Sequence, residues 1–107
     1  MTKTGIWKYF RIGDIVINRE IWGSKRRFVI DKLYGNAYCP IIDVHPINSP
    51  KTIGNTCLFS PSMTTLVNAS RRPLSKLKKE ALLKLMKRGN VEAKREFMIR
   101  IFNKQLR

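Results

Sequence analysis

The spacing of apolar residues changes once along this chain, and that change restricts it to a sheet followed by helices. Up to about residue 67 the apolar positions are largely β-branched or aromatic, in short runs bounded by Gly, Pro and Asn. Half-buried strands produce that pattern. Beyond Pro73 the apolar positions recur three and four residues apart, as on an amphipathic helix. Between them, Asn68-Ala69-Ser70-Arg71-Arg72-Pro73 follows neither period and marks the border.

Within the first region the punctuation predicts five strands. Residues 14–21 form the first, turned by Trp22-Gly23-Ser24. Residues 26–34 form the second, turned by Gly35-Asn36, and residues 37–44 the third. A loop rich in Pro, Asn and Gly follows over 45–55. Residues 56–60 and 64–67 are two short strands separated by one tight or 3₁₀ turn at Pro61-Ser62-Met63. Five short strands in about 60 residues suit a small closed or half-closed barrel. In the second region Leu74, Leu77, Ala81, Leu82 and Leu85 share a helical face, with Ser75 as N-cap and Gly89 as the stop. Asn90 caps a second helix, whose stripe is Val91, Met98, Ile101 and Phe102, widened by Phe97 and Ile99. So short a connection folds the two helices into a hairpin. The predicted class is α+β, with a barrel over residues 1–70 and a basic helical extension over 71–107 packed on or beside it.

Charge is distributed as unevenly as the apolar spacing. The net charge is +15, from 22 Lys and Arg against seven acids, and residues 71–107 hold thirteen of those cations against three Glu. With 43% hydrophobic residues the chain is too apolar for a disordered basic tail, so the excess charge belongs to a folded surface. A charge of this size accelerates encounter with polyanions and opposes self-association. Cys39 and Cys57 form no CxxC and sit in apolar runs, which predicts free, buried thiols in a reducing compartment. The N-terminal residues lack the apolar stretch of a signal peptide, and no run approaches bilayer length. An intracellular, cytoplasmic protein is expected, nucleoid-associated if it binds DNA.

Gly13-Asp14-Ile15-Val16 opening the first long strand, the Phe28-Val29-Ile30 strand, a third strand and a one-turn element before a short fifth strand together resemble the SH3-like barrel. More narrowly, they are similar to KOW-type modules found in ribosomal proteins, transcription elongation factors and some small phage DNA-binding proteins. The resemblance covers roughly residues 8–68 and implies nucleic-acid or ribonucleoprotein binding without catalysis. SH3-like barrels also bind proteins, so function has to be argued from the residues.

Two groups of residues are candidates for contact with nucleic acid. On the barrel, Arg19, Lys25, Arg26 and Arg27 cluster around Trp22, joining guanidinium forks for phosphate oxygens to a flat ring for a base or sugar. On the first helix, Lys76, Lys79, Lys84 and Lys87 lie opposite the leucines, with Glu80 among them. Arg71, Arg72, Lys78 and Arg88 flank this face, and Arg95, Arg100, Lys104 and Arg107 carry the charge onward. An ordinary solvated helix face would show Glu80–Lys84 as an i,i+4 pair and more acids than these.

Catalytic and metal chemistry find little support. Asp43 and His45 share a strand face and Cys39 lies nearby, but the Pro-rich loop beside them uses such residues to satisfy turn backbone. Two Cys and one His fall short of a tetrahedral metal site. No cofactor, no catalytic residue and no metal ligand is therefore expected. The leading expectation is a non-enzymatic nucleic-acid-binding protein with weak sequence preference, for double-stranded DNA ahead of RNA. An adaptor or inhibitor is the alternative, docking on an acidic surface of a larger machine such as RNA polymerase or the ribosome through an apolar patch at Ile99, Phe102 and Leu106. Third comes a peripheral binder of anionic lipid through the first helix, whose apolar face lacks the Trp or Phe such helices carry.

Overall fold

β-branched runs build an antiparallel sheet of five strands: β1 (Ile15–Asn18), β2 (Phe28–Gly35), β3 (Pro40–Pro46), β4 (Cys57–Phe59) and β5 (Thr64–Asn68). Their order across the sheet is β4-β3-β2-β1-β5. Two helices follow, α1 (Lys79–Lys87) and α2 (Val91–Gln105), so the chain is α+β. The computed structural model describes residues 9–19, 26–36, 38–50, 54 and 56–105.

The β2–β3 hairpin shows how local chemistry sets the register. Gly35 has φ +96°, and a Cβ there would stand 2.1 Å from the Cys39 carbonyl oxygen, so the turn requires glycine. The Asn36 side-chain oxygen then accepts the backbone N–H groups of Tyr38 and Cys39, both at 2.9 Å. This turn is longer than predicted. The third strand therefore starts at Pro40 rather than 37, and Cys39 is an exposed thiol instead of a buried one, while Cys57 is half-buried.

Val16, Phe28, Ile30, Ile42, Val44 and Leu66 bring the inner sides of four strands together, and Phe59 of β4 meets Phe28 edge-on with ring centroids 4.9 Å apart. Burial of each such side chain favours folding by roughly 1.5–3 kcal/mol. β1 is apolar on both faces because both are covered. Val16 belongs to the main core, while Ile17 packs with Val67 and with Phe102 of α2. Ile99 of α2 enters the main core as well. α2 is thus a wall of the core, packed against β5, and α1 packs on α2.

The barrel expected from the strand order is an open sheet. β4 pairs with β3 and β5 with β1, without β4–β5 pairing among the described residues. The turn at Pro61–Met63 links the two edge strands β4 and β5, and α2 packs against β5. The first helix also begins later than predicted, at Lys79 with Lys78 as a cap that makes no side-chain hydrogen bond. Residues 73–76 form a turn instead, with the Leu77 N–H donating to the Leu74 carbonyl at 3.1 Å, and Arg100 Nη2 ties this segment to α2 through the carbonyls of Leu74, Ser75 and Leu77 at 3.1, 3.2 and 2.7 Å. The hairpin itself forms as expected. Gly89 has φ +82° and donates to Met86, and the Asn90 side chain caps α2 through the Ala93 N–H at 2.9 Å.

Candidate nucleic-acid interface

Arginine and lysine divide the work on this surface. Among the described residues every cation–carboxylate pair is made by Arg or His, and no Lys takes part in one. The planar guanidinium fork suits a carboxylate held inside a fold, whereas an ammonium on a long stem stays hydrated.

The most buried pair joins Asp14, at the entry of β1, to Arg95 of α2. Asp14 is 0% exposed and Arg95 2%. Arg95 Nη1 donates to Asp14 Oδ2 at 2.7 Å and to the Tyr9 carbonyl at 2.7 Å, while Nη2 donates to Asp14 Oδ1 at 2.9 Å. Glu92, one turn earlier, pairs with Arg11 and lies 3.9 Å from Arg95 Nε. Arg95, assigned to the basic exterior from sequence, is instead a core residue.

A second knot holds the segment between sheet and helices. Glu96, 2% exposed, accepts from Arg72 Nε and Nη2 at 3.0 and 2.8 Å and from Arg100 Nε at 2.8 Å. Burial alone would push the Glu96 carboxyl up, but the hydrogen bonds from Arg72 and Arg100, with their charges, outweigh it and hold the carboxyl below its ordinary value of 4.5. The hydrogen bonds that Arg72 donates to Glu96 in turn raise the pKa of Arg72, which stays cationic. A carboxyl depressed by folding contributes stability that is fully present above its unfolded pKa and is lost as pH falls through the folded one. Glu96→Gln should therefore lower stability at neutral pH, and its deficit against wild type should shrink as pH drops below about 4.5. Urea unfolding at pH 7 and pH 3 measures this; a deficit of equal size at both would show that the charge of Glu96 is irrelevant.

The predicted contact residues fall into three places. Arg19 follows β1, with its Nη2 donating to the Ser62 carbonyl at 2.6 Å. Arg26 and Arg27 precede β2, and the pairing of Val16 with Phe28 puts them at the same end of the sheet as Arg19. The Arg26 guanidinium lies 5.6 Å from the Phe28 ring centroid and Arg27 5.9 Å from that of Phe102. With Ile47 and Asn48 they line an open cleft of about 410 Å³. Trp22 and Lys25, the other members of this patch, lie outside the described residues.

Lys76, Lys79, Lys84, Lys87 and Arg88 are all exposed but do not share one helical face. Lys84 and Lys87 line the outer side of α1 with Glu80. Lys76 sits in the turn before the helix, and Lys79 opens onto the groove with α2 beside Lys104, Phe97 and Ile101. An earlier start at Ser75 would add only Lys76 to the helix, and Lys79 lies about 140° around the axis from Lys84 whichever residue comes first. Glu80 makes no ion pair among the described residues, so these charges are uncompensated. Lys84 and Lys87 also suit the C-terminal turn of α1, where positive charge meets the negative end of the helix dipole.

No family model matches this chain, and neither a curated protein nor a solved structure does. The geometry therefore carries the functional reading by itself. Arg71 and Arg72 occupy the segment before α1, where Arg71 is exposed and Arg72 is committed to Glu96. Arg72, expected as a phosphate contact, has a structural role first.

The pairing of Cys39, Asp43 and His45 is also redrawn. His45 Nδ1 faces the carboxylate of Asp31, at 2.9 and 2.8 Å, and Cys39 is in the exposed turn. Asp31 escapes a reading by spacing because it sits at a register slip in β2, between Ile30 and Lys32, which aims it at the neighbouring strand. Sequence spacing alone carries no signal for such a bulge. A signal does exist for the buried network: Glu92, Arg95, Glu96 and Arg100 lie three and four apart along one helix.

Proposed function

We propose that this protein binds nucleic acid without catalysing a reaction, preferring double-stranded DNA, with little sequence specificity. One observation carries the reading. Internal ion pairs occupy four arginines and the acids Asp14, Glu92 and Glu96, so among the described residues the surface that remains is lysine-rich and carries few carboxylates. Self-repulsion on such a surface lowers stability, and a phosphate backbone relieves it by releasing its condensed counterions. Lysines without a base-reading helix position a duplex more than they read it.

The adaptor reading loses the feature that was to favour it. Ile99 and Phe102 are 1% and 5% exposed, inside the core, and Leu106 lies outside the described residues. Among the described residues no helix is long and apolar enough to cross a bilayer.

Anisotropy titration of nuclease-treated protein against random duplex DNA, single-stranded DNA and duplex RNA at several salt concentrations tests the proposal. Tightest binding to duplex DNA with a steep salt slope is the expected result. Absence of binding at low salt, despite a charge of +15, would reject it.

A further inference from the structure

Sheet, linker and α2 meet at an open cleft of about 480 Å³ lined by Arg11, Arg71, Arg72, Pro73 and Glu92. Three guanidinium groups against one carboxylate make it strongly positive. Two of these arginines are held in place from behind. Arg11 is paired with Glu92, which also has Arg95 Nε at 3.9 Å, so the carboxylate lining the cleft is flanked by two cations. Arg72 gives Nε and Nη2 to buried Glu96, which leaves its Nη1 outside the fork. Arg71 makes no hydrogen bond or ion pair among the described residues and is exposed. Pro73 fixes its own φ and restricts Arg72 before it to extended backbone.

We infer that this cleft is the seat of a nucleic-acid backbone phosphate, with Arg71 as the mobile fork that closes on it and Arg11 and Arg72 as the fixed walls. The inference rests on the nucleic-acid reading and adds to it a defined anchoring point, one that includes Arg11, which lies outside both groups of contact candidates read from the sequence. Guanidinium groups anchored by carboxylates lose little conformational freedom on binding, and a paired fork is the geometry that matches phosphate oxygens. Because the cleft lies where the sheet joins the helices, a phosphate held there sets the orientation of both basic surfaces on the duplex.

Arg71→Gln and Arg71→Lys test this against Lys84→Gln/Lys87→Gln, all compared with wild type in duplex titrations at several salt concentrations. With no described partner for Arg71 to give up, its variants should melt with wild type. Arg71→Gln is expected to reduce the slope of log affinity against log salt by about 0.9, the value for one phosphate contact on duplex DNA. Arg71→Lys should keep the slope, since the charge remains, and bind about 3- to 10-fold more weakly because the fork is gone. If wild type binds and both Arg71 variants match it while the lysine variant weakens, the cleft is not the seat and the wider reading stands. If wild type binds none of the probes, both fall.

Discussion

Arg95→Ala is expected to destabilise the protein by about 3–5 kcal/mol, because it leaves the carboxylate of Asp14 buried without its counter-charge. Asp14 is fully buried, and once the guanidinium is gone its carboxylate retains only the Arg11 N–H, at 2.9 Å, as a described hydrogen-bond partner. A domain of this size is commonly stable by only about 5–15 kcal/mol, so the variant should lie near the limit of folding. Its melting temperature should fall by at least about 12 °C. Replacing both partners by apolar residues of similar volume, Asp14→Leu with Arg95→Met, should recover much of the stability, since two desolvation penalties disappear together. Urea denaturation followed by circular dichroism gives both values. If Arg95→Ala stays within about 1 kcal/mol of wild type, the pair contributes no more than an exposed one.

Replacing Lys76, Lys79, Lys84 and Lys87 together by Gln should leave folding intact and change binding profoundly. All four are exposed and none is paired with a carboxylate among the described residues. Each phosphate that is no longer neutralised reduces the salt slope by about 0.9, so four of them would lower it by roughly 3.6. At low salt the affinity for duplex DNA should drop on the order of 10²-fold. A smaller change, close to the effect of Lys84 and Lys87 alone, would place the duplex on the outer side of α1 and away from the groove where Lys79 stands. An unchanged slope would remove α1 from the interface altogether.

Much of this architecture is visible in the chain because it depends on neighbours in sequence. Gly35 and Asn36 build their turn with residues up to four positions away, and Gly89 and Asn90 end one helix and start the next by the same short-range rules. The features that escape are those decided by contacts across long separations. Ser75 has the chemistry of an N-cap, but Arg100, 25 residues later, holds its carbonyl. The face of α2 that meets the sheet contains Arg95 alongside apolar Ile99 and Phe102, so a search for a purely apolar stripe rotates the helix by part of a turn. That rotation is why Ile101 is exposed and Ile99 is not. Among the candidate contacts, the lysines are legible as charges and their placement is not, since Lys76 depends on where the helix begins and Lys79 on how α1 packs against α2. Arg72 and Arg95 read as surface charges because a cation gives no sign in sequence of whether its carboxylate lies 24 or 81 residues away.

The 81-residue reach of the Asp14–Arg95 pair also bears on how the chain is made. β1 and β2 are complete 60 residues before Arg95 in the chain, and until α2 docks one wall of the core and the counter-charge for Asp14 are missing. Ile17 and Val67 remain uncovered for that interval, beside an unprotected β5 edge. Long-range closure of this kind slows folding and prolongs exposure of sticky surface. The same positive charge that would draw in a duplex also keeps nascent copies apart until the last helix arrives.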